Sequence, residues 1–482
     1  MKDAIPSGGL PLGPPADPFG AFDLKSCVRR LAPPLDKGDT IGAPDGIADL
    51  LSRYAKGQTS PAAEFARFRA AVNAPAEAEA VLSVLDCTAA AEDSTARWQA
   101  GKARPLEGIL FGVKAIIDVA GAEITCGSLL TGSRVAAKDA HAVSRLRAAG
   151  AIPVAILATT EFAAGSPFNP RHGVVTNPYD ANRWTGGSST GSGAAVARRM
   201  LPFALGTDTG GSIRVPSCWC GITGLKPTRA LLSTDGVAPL SWTLDHLGPM
   251  GLCAADLAKL MAILGEVQPR PLHQLRIGVP DGWFTDSVDA AVLQAWRAAL
   301  QVMETLGATC VPIDTATTFG EMAANHEAGW TILTAELAAS QRHNKDRRDE
   351  QDAGLKARIA RGEQITAADY LLAMGRRSAL IERLLARWDV DVLVTPGLGG
   401  EAGHLDGLRI DIDGTPHGFD IISRNTMIWD LVGFPALMLP SGVGPSGLPL
   451  GIQIVARPYD DALCLALGAA FQGVTGHHLM QP

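Results

Sequence analysis

The chain has 482 residues, of which 46% are apolar and 19% charged, with 53 glycines and 32 prolines. The 42 Lys+Arg against 49 Asp+Glu leave a net charge of −7 with no basic block to track phosphates, which argues against nucleic acid as a partner. The 8 cysteines are too sparse for a disulfide scaffold, and no apolar run is long enough to span a membrane.

Length alone suggests ~3 domains, yet no charged or Pro/Ser-rich linker divides the sequence. We expect a Pro/Gly-rich N-terminal arm over residues 1–45 (LPLGPPADPFG, LAPPLDKGD) and one domain over 46–482. Met1–Pro6 shows no apolar signal core, so a reducing cytoplasm is the expected compartment. From Ile47 to Arg104 the pattern reads as helical, Val81, Leu82, Val84 and Leu85 included.

After Pro105 the run Ile109–Val119 (ILFGVKAIIDV) reads as a strand covered on both faces, with Lys114 in its middle. An exposed edge lysine is the common reading of such a residue. The apolar flanks instead bury the ammonium, which lowers its pKa and makes it a base near neutrality. A helix over Ala140–Ala149 and a strand over Ala151–Leu157 follow, and then a loop from Thr160 to Tyr179. Ala194–Ala197 reads as helix and Leu201–Leu205 as a buried strand. Further on come a strand at Arg276–Val279, a helix at Ser287–Leu306 and a strand at Cys310–Ile313. Residues 318–388 are mostly helical, with a solvated charged run at His343–Asp349. Strands at Asp391–Val394, Ala436–Leu439 and Leu450–Val455 and a helix at Asp460–Phe471 close the chain. Such alternation specifies an α/β fold with a largely parallel or mixed sheet.

Two glycine-serine clusters carry the chemistry: Gly186-Gly187-Ser188-Ser189 and Gly210-Gly211-Ser212. A flexible linker would look similar, but these clusters lie between a helix and a strand that both pack. Gly187-Ser188-Ser189-Thr190-Gly191 matches the nucleophile elbow G-x-S-x-G, which must follow a strand directly; the preceding YDANRWT is polar and turn-like. Asp208-Thr209-Gly210 matches one half of an aspartic-protease pair, and no second half exists. No phosphate-binding glycine loop stands between a strand and a helix. Cys218-Trp219-Cys220 lacks zinc or redox spacing and reads as core thiols. No histidine lies beside either cluster, so a serine here needs another base. Ser212 as nucleophile, Ser188 as bridge and neutral Lys114 as proton acceptor make a complete set. Amides around Thr209-Gly210-Gly211-Ser212 would hold the oxyanion.

GGSSTGSGAAVA followed by ALGTDTGGSIRVPSCWCGITGLKPT closely resembles the core motif of the amidase signature family. Supporting matches are Gly112–Lys114, Thr160–Pro170, Leu244–Met250 and Gly433–Asp461, so the likeness is strongest over about 105–255 and 390–472. It implies a single α/β domain with a large mixed sheet wrapped by helices, and no metal or organic cofactor. It assigns Ser212 as nucleophile, Ser188 as the cis-serine after Gly187 and Lys114 as base. Ser189, Asp208 and Arg214 support the site. The chain departs from the family pattern at four places. Ala115 follows Lys114 where an acid is frequent, with Asp118 available as a substitute. His246 replaces a glutamine, Asp430 an asparagine and Thr185 a proline.

Cleavage of small or aryl, mostly apolar amides is the expected reaction, with carbamates and urea-type bonds as alternatives. Specificity should lie on the loops 160–180 and 230–246 and in 315–390, the last within a variable helical segment at 270–390. Trp184, Trp219, Trp242, Trp330 and Trp429 are candidate pocket residues. An ammonia-generating component of an amidotransferase and a non-catalytic scaffold are the rival classes, and the family implies a monomer or homodimer.

Overall fold

The computed structural model describes residues 43, 45–73, 79–270, 272 and 274–482; the expected arm lies outside these apart from positions 43 and 45. The apolar runs form β1 (Val81–Val84), β2 (Leu110–Lys114), β3 (Ile152–Leu157), β4 (Phe203–Asp208), β5 (Thr223–Lys226), β6 (His246–Gly251) and β7 (Arg276–Pro280). Later strands are β8 (Thr309–Ile313), β9 (Val392–Pro396), β10 (Arg409–Ile412), β11 (Thr415–Gly418), β12 (Ala436–Val443) and β13 (Pro449–Ala456). All but β10 and β11 join one 11-stranded sheet in the order β1-β3-β2-β4-β6-β5-β12-β13-β9-β7-β8; β10 and β11 form a separate hairpin.

The sheet is mixed. β3, β2 and β4 run parallel, as do β9, β7 and β8, while the strands between these sets pair antiparallel. Parallel neighbours need a crossover, supplied by helix His141–Ala148 between β2 and β3 and helix Thr190–Ala197 between β3 and β4. Every residue of β2, β3, β4 and β13 is buried, as two covered faces require. Helices Met322–Ser340, Ala353–Gln364 and Ala367–Arg387 pack on one another as one helical layer. Gly191 lets helix Thr190–Ala197 dock directly on the end of β3: a Cβ there would stand 2.4 Å from both Ala158 N and Ala80 O.

Two local expectations are corrected. Lys114 ends its strand rather than occupying the middle, because the N–H groups of Ile116 and Ile117 both turn back to the Lys114 carbonyl. The segment around Val81 is not helical. It forms edge strand β1 against β3, as the β-branched pair Val81 and Val84 favours. The run around His343–Asp349 is a 3₁₀ segment, Arg342–Glu350, with no buried residue.

Candidate active site

Three parallel strands deliver their carboxyl ends to one place, where α/β sheets usually bind ligands. The end of β3 leads into a strap lining the cavity, β2 ends in Lys114, and β4 runs into the loop of Ser212. Pairing of Val113 with Leu205 sets Lys114 alongside Thr207. The Lys114 side chain is wholly buried, and Nζ lies 2.7 Å from Ser188 Oγ and 2.8 Å from Thr207 Oγ1. Burial pulls the Lys114 pKa from 10.5 down to about 7, against the opposing pull of Asp208 and Asp245. The amine is thus poised to exchange a proton near neutrality.

Ser188 follows a cis peptide bond from Gly187 and lines the cavity with Ser212. Ser189 braces the two loops, donating its N–H to the Ser212 carbonyl at 3.3 Å while its hydroxyl accepts the Thr207 N–H at 3.3 Å. Ser212 lines the same space, and its hydroxyl carries no hydrogen bond among the described residues.

Asp208 shapes the Ser212 loop from beneath. Its carboxylate accepts the N–H groups of Gly211 (2.6 Å), Ile213 (3.1 Å) and Arg214 (3.2 Å), together with Arg214 Nε at 2.9 Å. Burial works against the charge, but the Arg214 guanidinium and its hydrogen bonds hold the Asp208 carboxyl well below the usual range. Arg214 also donates to Thr426 O, Gln453 Oε1 and Asp430 Oδ2, so a buried fork ties the loop to the C-terminal half. Gly211 adopts φ +133°, and a Cβ there would meet Thr426 Oγ1 at 2.6 Å, so only glycine fits. Because the Gly211 N–H is given to Asp208, it cannot serve an oxyanion as the sequence suggests. The amides of Thr209, Gly210 and Ser212 meet no acceptor among the described residues.

The cavity above these groups is about 260 Å³ and mostly apolar. Trp184, Val215, Leu240, Trp330, Leu333, Leu408, Phe419 and Ile422 supply its walls, and Arg358 is the one charged side chain among the described lining residues. Arg358 lies over the Trp330 ring, 5.6 Å from its centroid, and donates to the Ala164 carbonyl. The strap itself is pinned to that helical layer. Asp352 accepts from Ser166 N at 2.7 Å and Ser166 Oγ at 2.6 Å, and Glu161 accepts the Asp352 N–H at 2.5 Å.

Of the candidate tryptophans, Trp184 and Trp330 line the cavity, while Trp219 and Trp429 are fully buried core and Trp242 lies off it. Cys218 and Cys220 are buried thiols, as read from the sequence. Asp118 pairs with Arg134 and takes no part in the Lys114 network. Thr207 and Asp245 escaped sequence reasoning. Asp245 accepts the Thr209 hydroxyl at 2.7 Å and the Leu240 N–H at 2.9 Å, and burial raises its pKa to about 7. The β2–β4 register brings Thr207 to Lys114, and the pairing of β4 with β6 brings Asp245 to Thr209. Among the described residues, no group of three or more His, Cys, Asp or Glu is arranged to hold a metal ion.

A family model described as Amidase matches residues 64–465. A glutamyl-tRNA(Gln) amidotransferase subunit of Chloroflexus aggregans is 33% identical over 435 residues, covering 82% of this chain and 88% of that protein. A solved chain from a vestigial protein complex bearing on the evolutionary origins of an s-triazine catabolic enzyme superposes with TM-score 0.81 at 29% identity, covering 89% of this chain and 98% of that one. A crystal structure of an amidase gives TM-score 0.82 at 27% identity, with 89% and 99% covered. With its mixed 11-stranded sheet wrapped by helices and this breadth of match, the chain belongs to the amidase signature family.

Proposed function

We propose that the protein is a serine hydrolase that opens linear C–N bonds of small or aryl, mostly apolar amides, with Lys114, Ser188 and Ser212 as its catalytic residues. The observation that carries this reading is the buried Lys114 Nζ at 2.7 Å from Ser188 Oγ, with Ser188 and Ser212 lining one cavity. In this mechanism Ser212 Oγ attacks the carbonyl carbon. Its proton passes to Ser188, whose own proton passes to neutral Lys114. The amides of Thr209, Gly210 and Ser212 receive the developing oxyanion, each such donor being worth ~3 kcal/mol in the transition state. Collapse breaks the C–N bond, and the leaving nitrogen takes a proton from Ser188 as Lys114 returns one. Water then attacks the acyl ester through the same relay, releasing the acid and restoring Ser212.

The apolar walls favour a substrate with an apolar body, and Arg358 favours a hydrogen-bond acceptor or carboxylate at the far end. Aryl carbamates and urea-type compounds present a similar carbonyl and are the second substrate class. The name of the Chloroflexus aggregans relative favours a different reading, ammonia release from glutamine within an amidotransferase. Against that stands the cavity lining, whose described residues include no carboxylate to meet the α-ammonium of glutamine. Soluble operation in the cytoplasm as a monomer or homodimer completes the reading. A panel of anilide, primary amide, aryl carbamate and glutamine substrates tests it, with Ser212→Ala as control. Glutamine as the sole good substrate would overturn the substrate class, and turnover by Ser212→Ala would overturn the nucleophile.

A further inference from the structure

His246 and Asp430, which the mechanism does not use, face one another beneath the nucleophile loop. His246 Nδ1 lies 3.4 Å from Asp430 Oδ1, and both side chains are buried. Neither of these atoms, nor His246 Nε2, has a hydrogen bond among the described residues. A buried polar atom left unpaired is costly, so each atom's cheapest partner is the other.

The two residues are not isolated from the chemistry. His246 is the cross-strand neighbour of Asp208, and Asp430 Oδ2 accepts from Arg214 Nη2 at 2.6 Å. Arg214 grips Asp208 through Nε and Nη2, and Asp208 accepts the amides of Gly211, Ile213 and Arg214 on either side of Ser212. We infer that His246 and Asp430 are positioning residues: as a proton-sharing pair they fix the Arg214 fork, and through it the aim of the Ser212 hydroxyl. The inference rests on Ser212 being the nucleophile.

The surroundings agree. Burial, with Lys226, Arg229 and Arg214 nearby, pushes His246 well below the ordinary imidazole value, opposed by Asp208. Burial and then Asp208 push Asp430 well above the carboxylate range, opposed by Arg214 and Lys226. With the imidazole neutral and the Asp430 carboxyl protonated, Oδ1–H is the donor and Nδ1 the acceptor across their 3.4 Å approach.

The test compares His246→Leu, His246→Gln, Asp430→Asn and the double variant His246→Leu/Asp430→Asn in the full chain. The readouts are kcat, KM and the rate of labelling by a fluorophosphonate. His246→Leu should lower kcat and the labelling rate about tenfold or more with KM within about twofold, because the cavity walls are untouched. His246→Gln, whose carboxamide oxygen can still accept from the Asp430 carboxyl, should recover most of that loss. The double variant should lie close to the weaker single variant rather than at the product of the two losses. Wild-type kcat in His246→Leu, or multiplicative losses in the double variant, would overturn the pairing. If His246→Leu does not accumulate folded, His246→Gln must fold and turn over; its failure to do so also overturns the pairing. Ser212→Ala separates the two levels: labelling retained there removes the underlying reading, whereas labelling lost there with His246→Leu at wild-type rate removes the positioning role alone.

Discussion

Replacing Lys114 by methionine should separate stability from activity in a pH-dependent way. The pKa drop from 10.5 to about 7 means that, relative to an uncharged side chain, wild type carries a penalty of about 5 kcal/mol at pH 6. Between pH 7 and 10.5 the folded state binds fewer protons than the unfolded one, so wild-type stability rises with pH across that window. By pH 9 about 3 kcal/mol of the penalty is gone. Methionine removes the titration but leaves Ser188 Oγ and Thr207 Oγ1 without the amine, at a cost of about 3 kcal/mol for the two groups together. Lys114→Met should therefore be the more stable protein by about 2 kcal/mol at pH 6 and the less stable by about 1 kcal/mol at pH 9. Its kcat should fall ~10²–10⁴-fold at both. Urea unfolding at the two pH values, followed by tryptophan fluorescence, measures the reversal. A stability difference that stays constant from pH 6 to 9 would refute the buried, depressed lysine, and wild-type turnover would refute its role as base.

The wild-type kcat/KM should fall about tenfold per pH unit below about pH 7 as Lys114 gains its proton, and a profile flat down to pH 5 would contradict this. Asp208→Asn should cost ~3–5 kcal/mol in urea unfolding, since it strips a charge partner from fully buried Arg214; a loss under 1 kcal/mol would mean Asp430 suffices alone. Thr207→Val should lower kcat several-fold with KM unchanged, by removing the second hydroxyl at Nζ. Arg358→Met should raise KM for carboxylate-bearing amides about tenfold more than for neutral ones, and equal shifts would remove Arg358 from recognition.

The glycine-serine clusters and Lys114 stood out in the sequence because their signals are local: small residues at turns and one charge in an apolar run. What stayed hidden depends on pairing distant segments. Thr207 reaches Nζ only through the β2–β4 register, and Asp245 reaches Thr209 only through β4 against β6. The occupied Gly211 amide follows from a carboxylate folding back three residues, which a motif cannot show. Periodicity misread Val81–Val84 because a short apolar segment among alanine-rich helices fits both patterns, and docking on β3 decides between them. The walls at Leu408, Phe419 and Ile422 were missed since that stretch joins the cavity from the C-terminal half.

The tie between Ser166, Glu161 and Asp352 links the two halves of the substrate chamber like a keystone between arches. Transplanting the helical segment of a relative into this chain would import new walls but sever that joint unless residues 161–166 came with it. Chimeras that move both pieces together should inherit the donor's substrate range, and those that move the helices alone should lose both ranges.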